Sequence, residues 1–274
     1  MCLSFQNILI PVDFTINTEF AVKNALVLSD PCNAVIHLFH VENKTQHVPH
    51  AIPAESSEIR LLQIKENIRE AHKYVRVEIH IISGGTVQSR IIRKARELKT
   101  DLIIIGKRND KNWFTLLNAL NSSLIAKKTN CAVLNIRVGK ILHKIRSVVM
   151  PIRSFFPARK IALLPALTRK QRPVIHLVTV QHRYRKSVYS KVFTDTYRHL
   201  SGDLHYPVNH KMITGNNYAG KIMKYAMNVE ADLIMVNPFD ETALNFLGMH
   251  INDMTHQRFN VLTIAPYQLK KVNT

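Results

Sequence analysis

The hydrophobic pattern of the chain is a series of short apolar runs separated by longer amphipathic stretches. Ile8-Leu9-Ile10-Pro11-Val12, Val35-Ile36-His37-Leu38, Leu102-Ile103-Ile104-Ile105 and Ala132-Val133-Leu134-Asn135-Ile136 are rich in β-branched residues. Continuous apolar runs of this length read as parallel strands covered on both faces. A further strand is expected over Arg76 to Ile82, before Gly84-Gly85. Between the runs the period lengthens to that of a helix. Ala21, Ala25 and Leu28 share one face. Val87, Ile91, Ala95 and Leu98 share another, with Arg90, Arg93, Lys94 and Arg96 mostly on the wet side. Residues 55–74 predict a charged amphipathic helix, and 115–129 a last one through Leu117, Leu120 and Leu124.

The pattern then repeats. Asn7-Ile8-Leu9-Ile10-Pro11-Val12-Asp13 returns as Ser147-Val148-Val149-Met150-Pro151-Ile152-Arg153, and Val35-Ile36-His37-Leu38 returns letter for letter as Val174-Ile175-His176-Leu177. Asp101-Leu102-Ile103-Ile104-Ile105-Gly106 returns as Asp232-Leu233-Ile234-Met235-Val236-Asn237, and Ala132-Val133-Leu134-Asn135-Ile136 as Asn260-Val261-Leu262-Thr263-Ile264. Val208 to Ile213, Gly215 and a helix through Ile222 and Ala226 complete the echo. The expected fold is therefore α/β: two tandem doubly wound units, residues 1–139 and 140–274, each a mostly parallel five-stranded sheet with helices on both faces. Residues 137–146 form the join.

Composition narrows the setting. Of 274 residues, 46% are apolar and 21% charged, which suits packed cores rather than disorder. No apolar run is long enough to span a bilayer, and the first residues lack a signal-peptide layout, so a cytoplasmic protein without membrane contact is expected. Cys2, Cys32 and Cys131 form neither a disulfide framework nor a zinc pattern. The formal net charge is +19, with +7 in residues 1–140 and +12 in residues 141–274. Such a balance favours anionic ligands, with solvated basic faces as the plain alternative.

In sheets of this kind ligands sit beyond the carboxyl ends of the strands, which directs attention to Asp13, Val41 and the segment after Ile105. The residues in hand resemble the universal stress protein family in its tandem form, through Ile8-Leu9-Ile10-Pro11-Val12-Asp13, His40-Val41, Asp101 to Gly106, and Cys131-Ala132-Val133-Leu134. The resemblance implies a fold like that of the adenine nucleotide alpha hydrolases and two halves paired as a pseudo-dimer, with a further homodimer open. It also implies a nucleotide site built on G-x2-G-x9-G-[S/T] after the fourth strand. There the glycines admit phosphate to backbone N–H groups and a hydroxyl completes the cradle. In this chain Gly106 holds the first position, Asn109 the second, and Ala119-Leu120 stand at the last pair. Asp13 and Val41 remain, so Asp13, Val41, Gly106 and Asn109 are the candidate nucleotide or anion cleft. Lys107, Arg108 and Lys111 add positive charge to it. In the second half Arg153 replaces the aspartate, and Asn237 and Asp240 the glycines.

Other chemistry is thinner. His37 and His40, three apart on a strand, face opposite ways, and His37 reads as a core or interface histidine. His47 and His50 lie in a Pro-bearing loop with no third ligand beside them, and no metal site is expected. Cys131 precedes a buried strand and reads as a core residue. No hydrolase, zinc-protease or P-loop signature is present. Tyr184, Tyr189 and Tyr197 among Arg183, Arg185, Lys186, Lys191 and Arg198 form the best aromatic and basic stretch for nucleic acid, or one face of a solvated helix. The leading expectation is a non-catalytic stress-response protein with degenerate nucleotide sites and no cofactor. An ATP-binding switch using the first half is the alternative, and a basic binder of polyanions or nucleic acid the second.

Overall fold

The computed structural model describes residues 5–30, 33–42, 56–107, 117, 120–152, 155–169, 171–181, 189–214, 218–237 and 259–265. In the first half they form β1 (Asn7–Pro11), α1 (Ile16–Leu28), β2 (Val35–Glu42), α2 (Ser57–Ala71), β3 (Arg76–Ser83), α3 (Val87–Glu97), β4 (Leu102–Lys107), α4 (Ser122–Thr129) and β5 (Ala132–Arg137). In the second half they form β6 (Ser147–Ile152), α5 (Ala158–Thr168), β7 (Val174–Gln181) and α6 (Tyr189–Arg198), whose end passes into a π turn at His199–Asp203. Then follow β8 (Val208–Thr214), α7 (Tyr218–Asn228), β9 (Leu233–Val236) and β10 (Asn260–Thr263). The α/β class and the strand runs read from the sequence are those of the structure.

All ten strands join one sheet in the order β3-β2-β1-β4-β5-β10-β9-β6-β7-β8. The order read outward from each fifth strand is the same in both halves. Every neighbouring pair is parallel except β5 and β10, where Val133, Leu134 and Asn135 meet Thr263, Leu262 and Val261 antiparallel. One face of the sheet carries a continuous core from Ile36 and Ile8 through Leu134 and Leu262 to Val148 and Leu177. The other face divides into a cluster around Leu9, Phe39, Ile91 and Ile105 and a second around Val149, Val178 and Ile222.

The repeated aspartates have a structural task. Asp101 Oδ2 accepts the backbone N–H groups of Gln6 and Asn7 at 2.8 and 2.9 Å, fixing the entry of β1 beside β4. Asp232 Oδ2 does the same for Arg146 and Ser147 at 2.7 and 3.2 Å. Thr15, Ser56, Thr86 and Asn121 cap the first four helices with side-chain oxygens. The last cap marks a difference from the expected helix over 115–129. Asn121 Oδ1 accepts from Leu124 N at 2.9 Å, so α4 starts at Ser122, and the buried Leu117 and Leu120 lie before it. An apolar period alone does not place a helix start; the capping side chain does.

Candidate functional site

The chain leaves β1 for β2 and β3 on one side and then crosses to β4 on the other, so the order reverses between β1 and β4. A ligand crevice in such a sheet opens there, at the carboxyl ends. Asp13 follows the end of β1, Gly106 lies at the end of β4, and Val41 lies near the end of β2. Asn109, Arg108, Lys111, Trp113 and Ala119 lie outside the described residues, as do Arg153 and Asp240 in the second half.

Asp13 is engaged by the start of α1. Its Oδ1 accepts from Thr15 N at 3.1 Å, Thr15 Oγ1 at 2.7 Å and Thr18 Oγ1 at 2.8 Å. A carboxylate here satisfies donors that a helix start leaves open and favours the positive end of its dipole. Gly106 admits α1 itself. A methyl on Gly106 would sit 2.5 Å from the Asn17 carbonyl carbon and closer still to its oxygen, so only glycine permits the approach. Asn17 is fully buried beneath this contact. Asp13 Oδ2 and both polar atoms of the Asn17 amide are buried with no hydrogen-bond partner among the described residues. They make the β1–β4 junction a polar point within an apolar core.

The neighbouring strand end is also filled. Phe14 adopts a left-handed backbone with φ of 58°, uncommon for a bulky side chain. Its ring packs on His40 at 4.6 Å between centroids, and the Arg60 guanidinium lies 4.1 Å above it. His40 Nδ1 faces the Val12 carbonyl oxygen at 2.9 Å. Val41 is buried on the opposite face, in the cluster with Leu9 and Phe39. Lys107 is buried as well, and Nζ donates to the Leu120 carbonyl at 3.0 Å. Burial pushes its pKa down to about 8. The second half behaves similarly: buried Lys160 of α5 donates to the Pro151 carbonyl at 2.6 Å, and Asn237 is buried after β9. A cleft of about 510 Å³ opens beside these residues between α1 and α2, lined in part by Phe14, Thr15, Thr18, Leu26, Arg60 and Ile64.

The remaining candidates separate clearly. Cys131 is buried, and burial raises its thiol to about 12, which makes it an unreactive core residue. His37 and His40 do face opposite sides. His37 meets two residues that sequence spacing did not single out, Glu78 and His80 of β3. Its Nδ1 lies 3.1 Å from His80 Nε2 and 3.3 Å from Glu78 Oε2. Burial lowers both histidine pKa values, with Glu78 opposing the shift. The signal was a strand register, His37 opposite Glu78, which no spacing within one strand reveals. No described helix is long and apolar enough to cross a membrane.

Comparison with known proteins places this geometry. Residues 4–137 match the model of the universal stress protein family. A universal stress protein from Archaeoglobus fulgidus superposes with a TM-score of 0.69 at 15% identity, covering 94% of this chain and 96% of that one. A functionally unknown protein from Pseudomonas aeruginosa gives 0.64 at 12% identity over 96% and 93%. The cytoplasmic domain of a prokaryotic cation chloride cotransporter gives 0.54 at 10% identity over 94% of both chains. At these identities the likeness is one of fold. No curated protein sequence matches.

Proposed function

Because residues 4–137 belong to the universal stress protein family, we propose that the chain is a non-catalytic stress-response protein whose nucleotide crevices have become packing. In this reading residues 1–139 and 140–274 are two diverged units held as a pseudo-dimer across β5 and β10. The protein acts in the cytoplasm as a scaffold or signalling component and needs no bound cofactor.

One observation carries the reading. Gly106, which a nucleotide site would use to admit phosphate, is the point at which α1 presses its Asn17 backbone against β4. Supporting it, the Thr15 amide and the Thr15 and Thr18 hydroxyls at the start of α1 donate to Asp13 Oδ1. The sequence adds the loss of a hydroxyl at Leu120, which is buried. A triphosphate would need these groups turned outward and α1 withdrawn.

The test is a calorimetric titration with magnesium ATP, read in parallel through Trp113, the single tryptophan. The reading predicts no saturable heat and no fluorescence change up to millimolar nucleotide. Stoichiometric binding that Asp13→Ala abolishes would establish the ATP-switch alternative instead.

A further inference from the structure

The face of the first half away from α1 and α2 contains a donor set that the proposed function does not use. His37 is the third residue of β2 and Glu78 the third of β3, and parallel pairing sets them opposite one another. His80, two residues beyond Glu78, projects from the same side of the strand. His37 is 3% exposed, while His80 and Glu78 side chains are 20% and 45% exposed, so the group runs from the core to solvent. Among the described residues, His37, Glu78 and His80 are the group of three whose ligand atoms converge within 4.8 Å of one another.

We propose that His37 Nδ1, His80 Nε2 and a Glu78 carboxylate oxygen bind a divalent transition-metal ion, with zinc the best match. The three atoms are separated by 3.1, 3.3 and 3.8 Å. Zinc bonds of about 2.0–2.1 Å set tetrahedral ligand–ligand edges of about 3.3 Å, so the donors already stand near the required spacing. Two imidazoles and one carboxylate suit zinc in chemistry as in number. The exposed side of Glu78 leaves a fourth position for water.

The surroundings favour ligation. His37 Nε2 faces Asn7 Oδ1 at 3.5 Å. An N–H directed there leaves Nδ1 as the nitrogen with a lone pair, the outer support that metal-bound histidines use. The backbone of Asn7 is itself held by Asp101. Lys94 of α3 places a positive charge near the group, and Glu97 pairs with it at 2.9 Å and offsets that charge.

The repeat provides an internal contrast. His176 takes the place of His37 in the second half, facing Asn209 where His37 faces Glu78. Lys211 stands opposite Val178 as His80 stands opposite Phe39. There the imidazole is satisfied by a phenol, His176 Nδ1 to Tyr225 Oη at 3.0 Å. A histidine needing only a core partner is completed in that way. In the first half the same histidine meets a carboxylate and a second imidazole instead.

The experiment uses the full chain, stripped with chelator and then titrated with Zn²⁺ by calorimetry and with Co²⁺ by visible absorption. The expected result is one ion per chain and an intense tetrahedral Co²⁺ band. Glu78→Gln and His80→Ala, both at partly exposed positions, should weaken binding by at least ~10–100-fold with unchanged circular dichroism. His176→Ala and the double variant His47→Ala/His50→Ala should bind as the parent does. Absence of saturable binding, an octahedral Co²⁺ spectrum, or parent-like affinity in both Glu78→Gln and His80→Ala would overturn the site. Absence of binding would leave the short His37–His80 contact as a hydrogen bond alone. None of these outcomes bears on nucleotide binding.

Discussion

Among single residues, Gly106, Asp13 and Lys107 are each fixed by a contact that a substitution can remove. Gly106→Ala forces a methyl into the Asn17 backbone and should destabilise the protein by about 1–3 kcal/mol, read as a lower denaturation midpoint. An unchanged midpoint would mean that α1 yields easily and that the crevice can open. Asp13→Ala removes three hydrogen bonds at the start of α1 and should cost about 1–2 kcal/mol. Lys107 adds a pH dependence of definite sign. Its folded pKa of about 8 lies below the ordinary lysine value of 10.5, so between these pH values the unfolded chain binds more protons. Stability from this group therefore rises as pH increases through that window, by an amount on the order of 3 kcal/mol. Lys107→Met should flatten the rise, seen by comparing denaturant midpoints of the two proteins from pH 7 to 11. These roles were not legible in the sequence. The motif positions were visible, but whether a glycine admits phosphate or a helix depends on a contact between segments about ninety residues apart.

At the scale of elements, the strands were legible because burial on both faces writes a continuous apolar run into each. Ile8 to Ile10 and Leu102 to Ile105 are all fully buried in the folded chain. Helix starts were less legible. Leu117 and Leu120 fit a helical period, yet they are buried ahead of the Asn121 cap. The repeated Asp101 and Asp232 were legible as a pattern but not as a mechanism. Each carboxylate holds two backbone N–H groups at the entry of a central strand. Asp101→Ala and Asp232→Ala should each cost about 1–2 kcal/mol, and the double variant should show the sum, because the two sites share no partner. Equilibrium denaturation of the three variants checks this. A non-additive double variant would mean that the two sites are coupled through the sheet.

At the scale of the whole molecule, the seam between β5 and β10 makes one sheet from two five-stranded halves. Arg159 of α5 reaches across it, donating to Asn130 O at 2.8 Å. Asn24 of α1 is bonded to both Lys140 O and Leu142 N at 2.9 Å, which anchors the segment between the halves. A chain ending at residue 139 leaves β5 as an open apolar edge, and such edges recruit another strand. Residues 1–139 alone should therefore sediment as a dimer, while the full chain has that edge covered. A monomer at high concentration would show that the seam is not a self-pairing edge.

The proposal that the nucleotide crevice has become packing is tested most directly by native mass spectrometry of the full chain, as purified and after equilibration with millimolar magnesium ATP. The same nucleotide-free species, near 31.4 kDa, is expected in both spectra. A stoichiometric adduct with the mass of a nucleoside triphosphate, released intact on denaturation, would contradict it.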